Sequence, residues 1–361
     1  PFGQEFGNYI NGVSINRYAN NQITWEKAEM LNLGVEIGLI DRIEIQADYF
    51  TETRTNILMD RAQVPSTMGL QAPTRANVGK ASSNGFEVTL DYNQDFANDL
   101  FIGARANFSF ADSKYELYEE LDYTSAGLPW RSRIGLNLSQ PFGYIAERLF
   151  IDEADVANSP LQTFGEYMAG DIKYKDINGD GIIDINDEVP IGYPTTPKII
   201  YGFGMSSSFK NFDLSFFFQG SAQSSFFIDA YNSSPFIDTY GGAIGNNALL
   251  TAWANDYWSE NDRNLYASWP RLSDQVIDNN NRNSTWWLRD GTFLRLKTLE
   301  IGYSFNAGFL EKVKLKNARI YLTGTNLLTI SRFKIWDVEM GGNGLGYPIQ
   351  KTTNIGINLN F

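Results

Sequence analysis

Neither cysteine nor histidine occurs among the 361 residues. Without thiols there is no disulfide framework and no thiolate metal site. Without imidazole the commonest general base and the usual zinc ligand are both missing. No apolar run approaches the roughly 18 residues that a membrane helix needs. Positive charge is also short: 29 Lys and Arg against 42 Asp and Glu leave a net charge of -13, which argues against nucleic acid as a partner. No phosphate-cradling loop or dinucleotide fingerprint opens onto a helix, and no long helix is evident. Asp256, Glu260 and Asp262 have the makings of an acid/base pair. Among 42 acidic residues such neighbours arise by chance, and the chain is not expected to be an enzyme. Pro1 follows no basic n-region and no apolar h-region. The expectation is that a leader was removed or that this is the later part of a longer polypeptide, and the strand count below favours the second.

What is present is aromatic and alternating. Aromatics make up 14% of the chain, with 19 Tyr and 25 Phe, an excess that interfacial girdles would explain. A mean hydropathy of -0.30 is compatible with a membrane barrel, whose strands spend half their residues on lipid. Residues 31–39 and 43–49 alternate apolar and polar without an error and read as a hairpin. Residues 85–92 with 102–110, and 199–205 with 212–216 across Lys210-Asn211, repeat the pattern. A strand at 299–305 is followed by a weaker one around 320–323, and the alternation loses phase near Leu294 to Thr298, which predicts a bulge. The chain ends on Ile355, Ile357, Leu359 and Phe361 separated by Gly356, Asn358 and Asn360. This apolar strand with an aromatic last residue resembles the signal by which outer-membrane proteins are recognised for assembly.

A soluble sandwich would alternate too, but two details favour a barrel. The polar faces carry Gly, Ser, Asn and isolated charges, as a wet lumen requires, and the connections fall into two classes. Those near Asp41, Asn98 and Lys210 are short and the one near Leu310 is moderate; those at 61–80, 119–197, 227–283 and 331–351 are long. Long structureless loops are uncommon in compact soluble domains, whereas barrels combine short periplasmic turns with long external loops. The expected fold is therefore all-β: an antiparallel transmembrane β-barrel portion of nine strands, with the strand-like stretch 129–150 placed inside the external loop 119–197. An odd count that starts outside does not close a bacterial barrel, so the whole of 1–361 is expected to be the closing part of a larger one, with no plug domain in this chain.

Residues 176–187 fit the twelve-residue EF-hand loop. Oxygen ligands to Ca²⁺ would come from Asp176, Asn178, Asp180, the Ile182 carbonyl, Asp184 and Asp187, with Gly181 at the sharp turn and Ile183 as an apolar anchor. Asp187 stands where a bidentate Glu is usual, which weakens the site, and residues 170–175 read as extended rather than helical. The competing reading is an acidic turn, since Asn-Gly and Asp-Gly are turn formers. Any calcium here is expected to be structural, because a sensor needs helices to open.

The succession Gly170-Asp171-Ile172-Lys173-Tyr174-Lys175-Asp176, Asn178-Gly179-Asp180-Gly181, Pro190-Ile191-Gly192, Tyr201-Gly202-Phe203, 212–220, 287–297 and Thr325-Asn326-Leu327-Leu328-Thr329, closed by the Phe361 strand, resembles the C-terminal part of SusC/RagA-type TonB-dependent outer-membrane transporters, from about Trp25 onward. The resemblance implies a 22-stranded barrel with an N-terminal plug and a SusD-like surface lipoprotein over the mouth. It also implies energy delivered through TonB, and import of oligosaccharides or peptides. The chain departs from it in lacking the plug, the TonB-contacting segment and the earlier strands. The remaining plug and barrel portion, outer-membrane lipid, TonB and the lipoprotein are the partners it would need.

Trp253, Tyr257, Trp258, Tyr266 and Trp269 are candidate substrate-binding residues, because flat rings suit the apolar faces of pyranoses. The commoner role for such residues is packing a loop on itself or against a partner. Trp286 and Trp287 are expected at a membrane interface. A calcium-stiffened surface adhesin or glycan-binding β-protein is the alternative of a different class, and would be soluble without detergent.

Overall fold

In the computed structural model, residues 14–237, 247–305, 308, 310 and 315–361 are described. Among these, nine strands form one sheet in the order of the sequence: β1 (Lys27–Leu39), β2 (Ile43–Asp60), β3 (Arg75–Phe96), β4 (Leu100–Leu117), β5 (Ile199–Phe209), β6 (Phe212–Ala222), β7 (Phe293–Ser304), β8 (Asn317–Ser331) and β9 (Thr352–Asn360). From β4 to β9 every neighbouring pair is antiparallel. Nine strands were expected, but β2, β3 and β4 run well past the alternating stretches, and the loop expected at 61–80 shrinks to 61–74. The moderate connection near Leu310 falls largely outside the described residues.

The short connections turn as the sequence suggests. Ile40 and Asp41, then Asn98 and Asp99, take positive φ in successive pairs, the backbone that matches a tight hairpin to strand twist. Asn and Asp tolerate that region; Ile40 does not and is a local misfit.

Register sorts the side chains into two faces. Phe203 stands opposite Phe218 and Ala106, and Met205 opposite Phe216 and Ala104. Leu214 meets Ile301, which meets Leu322, which meets Ile355. The other face presents Asn107, Gly202 and Gln219, then Glu300, Thr323 and Asn354. The expected bulge lies where the phase is lost: between the facing pairs 217/298 and 218/296, Lys297 is an extra residue on β7, and β8 adds Asn326-Leu327 opposite it. Asn326 accommodates this with a positive φ. The bulge lets Leu294 and Leu296 rejoin the apolar face while Arg295 turns to the polar one.

Two compact units divide the chain: Pro1–Leu31 with Phe50–Asn84 and Ser113–Leu138, and Asn32–Tyr49 with Gly85–Asp112 and Ser139–Phe361. The hydrophobic core lies in the second, and outside the sheet. Apart from Phe293 its buried members come from the long connections: Tyr144, Leu149, Phe164, Ile172, Tyr174 and Ile183 from the first, Ile228, Trp253, Trp258, Trp269 and Trp287 from the second, and Phe333 and Val338 from the third. These segments are not structureless. Residues 142–143 pair with 189–190, 146–149 with 172–174, and 161–162 with 182–183. Of the strand-like stretch 129–150, residues 134 and 137 instead bridge Tyr115 and Lys114 of β4, and Tyr144 also bridges Ser284 of the second connection.

Candidate functional site

Several charges of the polar sheet face are paired. Arg319 on β8 reaches across β7 to donate to both carboxylate oxygens of Asp213 on β6, and to Glu300 on β7. Gly302 makes this crossing possible, because a Cβ there would collide with Arg319 Nη2 and with the Asp213 carboxylate. Arg105 and Asp91 pair on the neighbouring strands β4 and β3. Where β7 meets the third connection, Arg295 is buried to 1% exposure and lies 2.5 Å from Asp337 and 2.6 Å from Glu339. A buried arginine needs such partners, since an unpaired charge away from water is costly.

The loop core takes in most of the aromatic residues singled out in the sequence. Trp253 is fully buried, Trp258 and Trp269 nearly so. Trp269 sits between Trp253 and Trp287, ring centroids 4.9 Å and 5.0 Å apart. Tyr257 is half-buried against the same cluster, and its segment bridges Trp269. Only Tyr266, 71% exposed, presents its ring to solvent among the five. Trp287 does not sit at a membrane interface as expected: it is 2% exposed and donates its indole N–H to the Asn280 carbonyl at 2.6 Å. Trp286 is half-buried against the same core. The physical reason is contact order: residues far apart in sequence supply each ring's neighbours.

A buried polar network ties the first connection to the second. Asn279 donates to the Ile172 carbonyl and accepts from the Gln162 side-chain N–H, while the Gln162 amide oxygen accepts from Tyr174 N. Asn280 accepts from Ile172 N and donates to Asp171. Each carboxamide thus stands in for a strand partner, meeting the rule that buried polar groups are hydrogen-bonded. Asp171 has no exposed surface and lies 2.9 Å from Arg271 Nε. Burial raises its pKa above the ordinary carboxyl value, against the pull of Arg271. Full burial also pushes the Tyr174 phenol far up. Asp155 goes the other way: the bidentate Arg148, the Ile151 N–H and Lys173 hold its carboxyl well below the usual range. The run Asn279-Asn280-Asn281 is the one trace of this network in the sequence, and it reads equally as a solvated turn.

At 176–187 the acidic side chains serve the loop's own backbone. Asp176 accepts from Gly179 N and Gly181 N, Asp180 from Ile182 N, and Asp184 from Asn186 N. Buried Asp187 accepts from Ile177 N at 2.7 Å and Asp184 N at 2.9 Å. Asn178 bridges to Asp180. Gly181 takes φ +82°, supplying the expected turn, and Ile183 is buried as the expected anchor. Ile172–Tyr174 ahead of it is a strand. Among the described residues no three acidic side chains gather as a group able to hold a metal ion. Each carboxylate oxygen that accepts one N–H still keeps a second lone pair.

Comparison with known proteins fixes the setting. Residues 1–232 match the family model described as TonB dependent receptor-like, beta-barrel. TonB-dependent receptor P26 of Formosa agariphila is 26% identical over 392 residues, covering 97% of this chain and 36% of that protein. TonB-dependent receptor SusC of Bacteroides thetaiotaomicron is 25% identical over 377 residues, covering 99% and 34%. Among solved structures, the RagAB peptide importer in its closed-closed state superposes with a TM-score of 0.64 at 23% identity, over 96% of this chain and 37% of that one. The chain therefore spans about a third of the length of the relatives it matches. The alternating faces, the nine-stranded antiparallel sheet and these matches lead to one assignment: the chain belongs to the TonB-dependent receptor-like β-barrel family, SusC/RagA type, of the outer membrane.

Proposed function

We propose that this chain forms wall strands and folded external loops of an importer that takes up oligosaccharides or peptides too large for passive pores. A SusD-like surface lipoprotein would cover the loops, and TonB would act through a plug carried outside this chain. The observation that carries this reading is the two-faced sheet: one face apolar and exposed across five consecutive strands, the other holding paired charges, amides and small residues. Such a wall separates hydrocarbon from an aqueous conduit. The solved relative named a peptide importer supports the cargo class, and family membership among receptors supports transport rather than catalysis. Purifying the native complex from outer membranes and identifying its chains by mass spectrometry tests the assembly. A plug-bearing segment and a lipoprotein are expected to co-migrate; finding neither, with a detergent-free soluble monomer, would overturn it.

Calcium at 176–187 is a separate proposal resting on the order of oxygen donors. With Asp187 in the last place, binding is expected in the roughly 10⁻⁴–10⁻³ M range of extracellular modules. Protease protection of the 119–197 segment should then rise with millimolar Ca²⁺ and fall with chelator, and Asp180→Ala should remove the difference. Equal digestion in every arm would leave the loop as a metal-free turn.

A further inference from the structure

The apolar side of β3 and β4 changes chemistry along its length. On β3 it reads Tyr92, Leu90, Val88 and Phe86, then Asn84, Ser82 and Lys80. On β4 it reads Ala104, Ala106, Phe108 and Phe110, then Asp112, Lys114 and Glu116. Phe86 contacts both Phe108 and Phe110, with ring centroids 5.6 Å and 5.8 Å apart. A tilted membrane strand needs about 9–11 residues. Counted from the short connection at 97–99, that length ends near Phe86 on one strand and near Phe110 on the other. The aromatic cluster therefore marks the rim of the hydrocarbon band, where such rings are favoured. The charged positions follow it, toward the strand ends that carry the long connections.

These charges do not cancel. Lys114 Nζ lies 3.4 Å from Glu116, and Lys80 acts on the same carboxylate from β3. Glu116 also accepts from the Ser82 hydroxyl at 2.6 Å. Two ammonium groups thus share one carboxylate, which leaves a positive excess. The neighbours do not remove it. Asp112 is met by Lys198 at 2.9 Å, and Lys27 and Glu29 on the same side of β1 carry one charge of each sign. Both lysines stay open: Lys80 is exposed and the Lys114 side chain is 54% exposed, while Gly79 and Ala81 on the opposite side of β3 are buried. In a chain with a net charge of -13, this is a local reversal of sign on the lipid side of the wall.

A membrane leaflet presents phosphate at this level. Ser82 and Lys114 each stand four residues past Phe86 and Phe110, about 9 Å of height for a strand tilted near 45°. The headgroup layer begins there, and lysine stems bend along the wall to bring their ammonium groups back to it. Basic residues at a membrane surface recognise anionic headgroups, and ammonium and hydroxyl donors suit phosphate oxygens. We propose that Lys80 and Lys114, with the Ser82 hydroxyl, seat the phosphate of an outer-leaflet lipid against the outside of the wall. Continuity with the hydrocarbon-facing side chains of the same strands favours a lipid over a soluble anion. The contact depends on the lipid-facing wall alone, and what the conduit carries does not enter it.

The test is native mass spectrometry of the full-length transporter, purified from outer membranes in detergent and titrated with lipid A or with its dephosphorylated form. Lipid A is expected to bind and the phosphate-free form to bind far more weakly. Lys80→Gln and Lys114→Gln should each weaken lipid A binding about fivefold, and the two together about thirtyfold. The paired arginine variant, Lys80→Arg with Lys114→Arg, should keep it, which separates lost charge from lost folding. Lys210→Gln, in a short connection at the other end of the strands, should bind like the parent. Equal binding of the dephosphorylated lipid, or an unchanged affinity in the double glutamine variant, would overturn the site. So would an equal loss in Lys210→Gln, which would trace the effect to overall charge. Displacement of lipid A by inorganic phosphate at the same concentration would assign the lysines to a soluble anion instead, and would overturn the lipid contact.

Discussion

In the second unit the same residue types meet opposite fates. On β9, Ile355 is 76% exposed and Ile357 61%, and Ile301, Leu322 and Ile330 of β7 and β8 also lie open. In the connecting segments Leu149, Phe150, Ile172 and Trp253 have no exposed surface at all. Water would penalise the first arrangement at about 25 cal/mol per Å² of apolar surface, so the sheet is built for another solvent. The connections are built as a water-soluble domain is, with an apolar interior, satisfied carboxamides and paired charges. One polypeptide thus carries two solutions to burial: the sheet relies on the bilayer, and the loops rely on each other.

That contrast can be broken from either side. The largest effect is expected in the loops. Trp253→Ala removes the fully buried ring of the tryptophan cluster and should cost about 3–5 kcal/mol, opening all three connections to protease together while the strands stay assembled. Cleavage confined to 249–257 would mean that the connections fold separately. On the sheet, Ile301→Lys places a charge on the apolar face and should cost about 2–4 kcal/mol near the bilayer midplane. Reduced assembly in outer-membrane fractions, with loop protection intact in the fraction that does insert, is the expected result. Full assembly would place Ile301 outside hydrocarbon. A smaller loss comes from Asn279→Ala, which strips partners from Gln162 and the Ile172 carbonyl and should cost about 1–3 kcal/mol. Amide exchange would rise at Ile172 and Tyr174, and unchanged protection there would show that the carboxamides do not hold the two segments together.

How much of this was legible follows the same division. Strands 31–39 and 199–205 were readable because hydrocarbon on one face enforces strict alternation. Their continuations were not: Thr51-Glu52-Thr53-Arg54 lies within β2, yet its side chains are polar in succession and leave no period to read. The bulge was readable because it breaks a period at Leu296 and Thr298. The loop core was opaque because its contacts join residues more than a hundred positions apart, as Tyr174 and Asn279 do. Tryptophan compounds the difficulty, since its amphipathic ring suits a core, an interface and a sugar equally. The acidic loop showed its turn and its anchor in the sequence, because both are local, but not that Asp187 would be buried against its own backbone.

The smallest effect expected is a pH response that only the loops should show. Asp155 is held below its ordinary pKa by Arg148 first, then the Ile151 N–H and Lys173, against the cost of burial. Its contribution to stability is therefore fully present above the unfolded value near 4 and is lost as pH falls through the depressed folded value. Asp171, raised by burial, has the opposite sign: its contribution is complete below the unfolded value and lost as pH rises through the folded one. Acidification from pH 7 should thus first relieve Asp171, and below about pH 4 begin to remove the Asp155 contribution. Loop protection from acid-active protease is expected to hold to about pH 4 and then decline. Asp155→Asn should start from a lower level and flatten that decline, because the group that titrates is gone. A decline of equal steepness in the variant would assign the acid sensitivity elsewhere, and a matching change in barrel assembly would mean that the loops and the sheet do not respond separately after all.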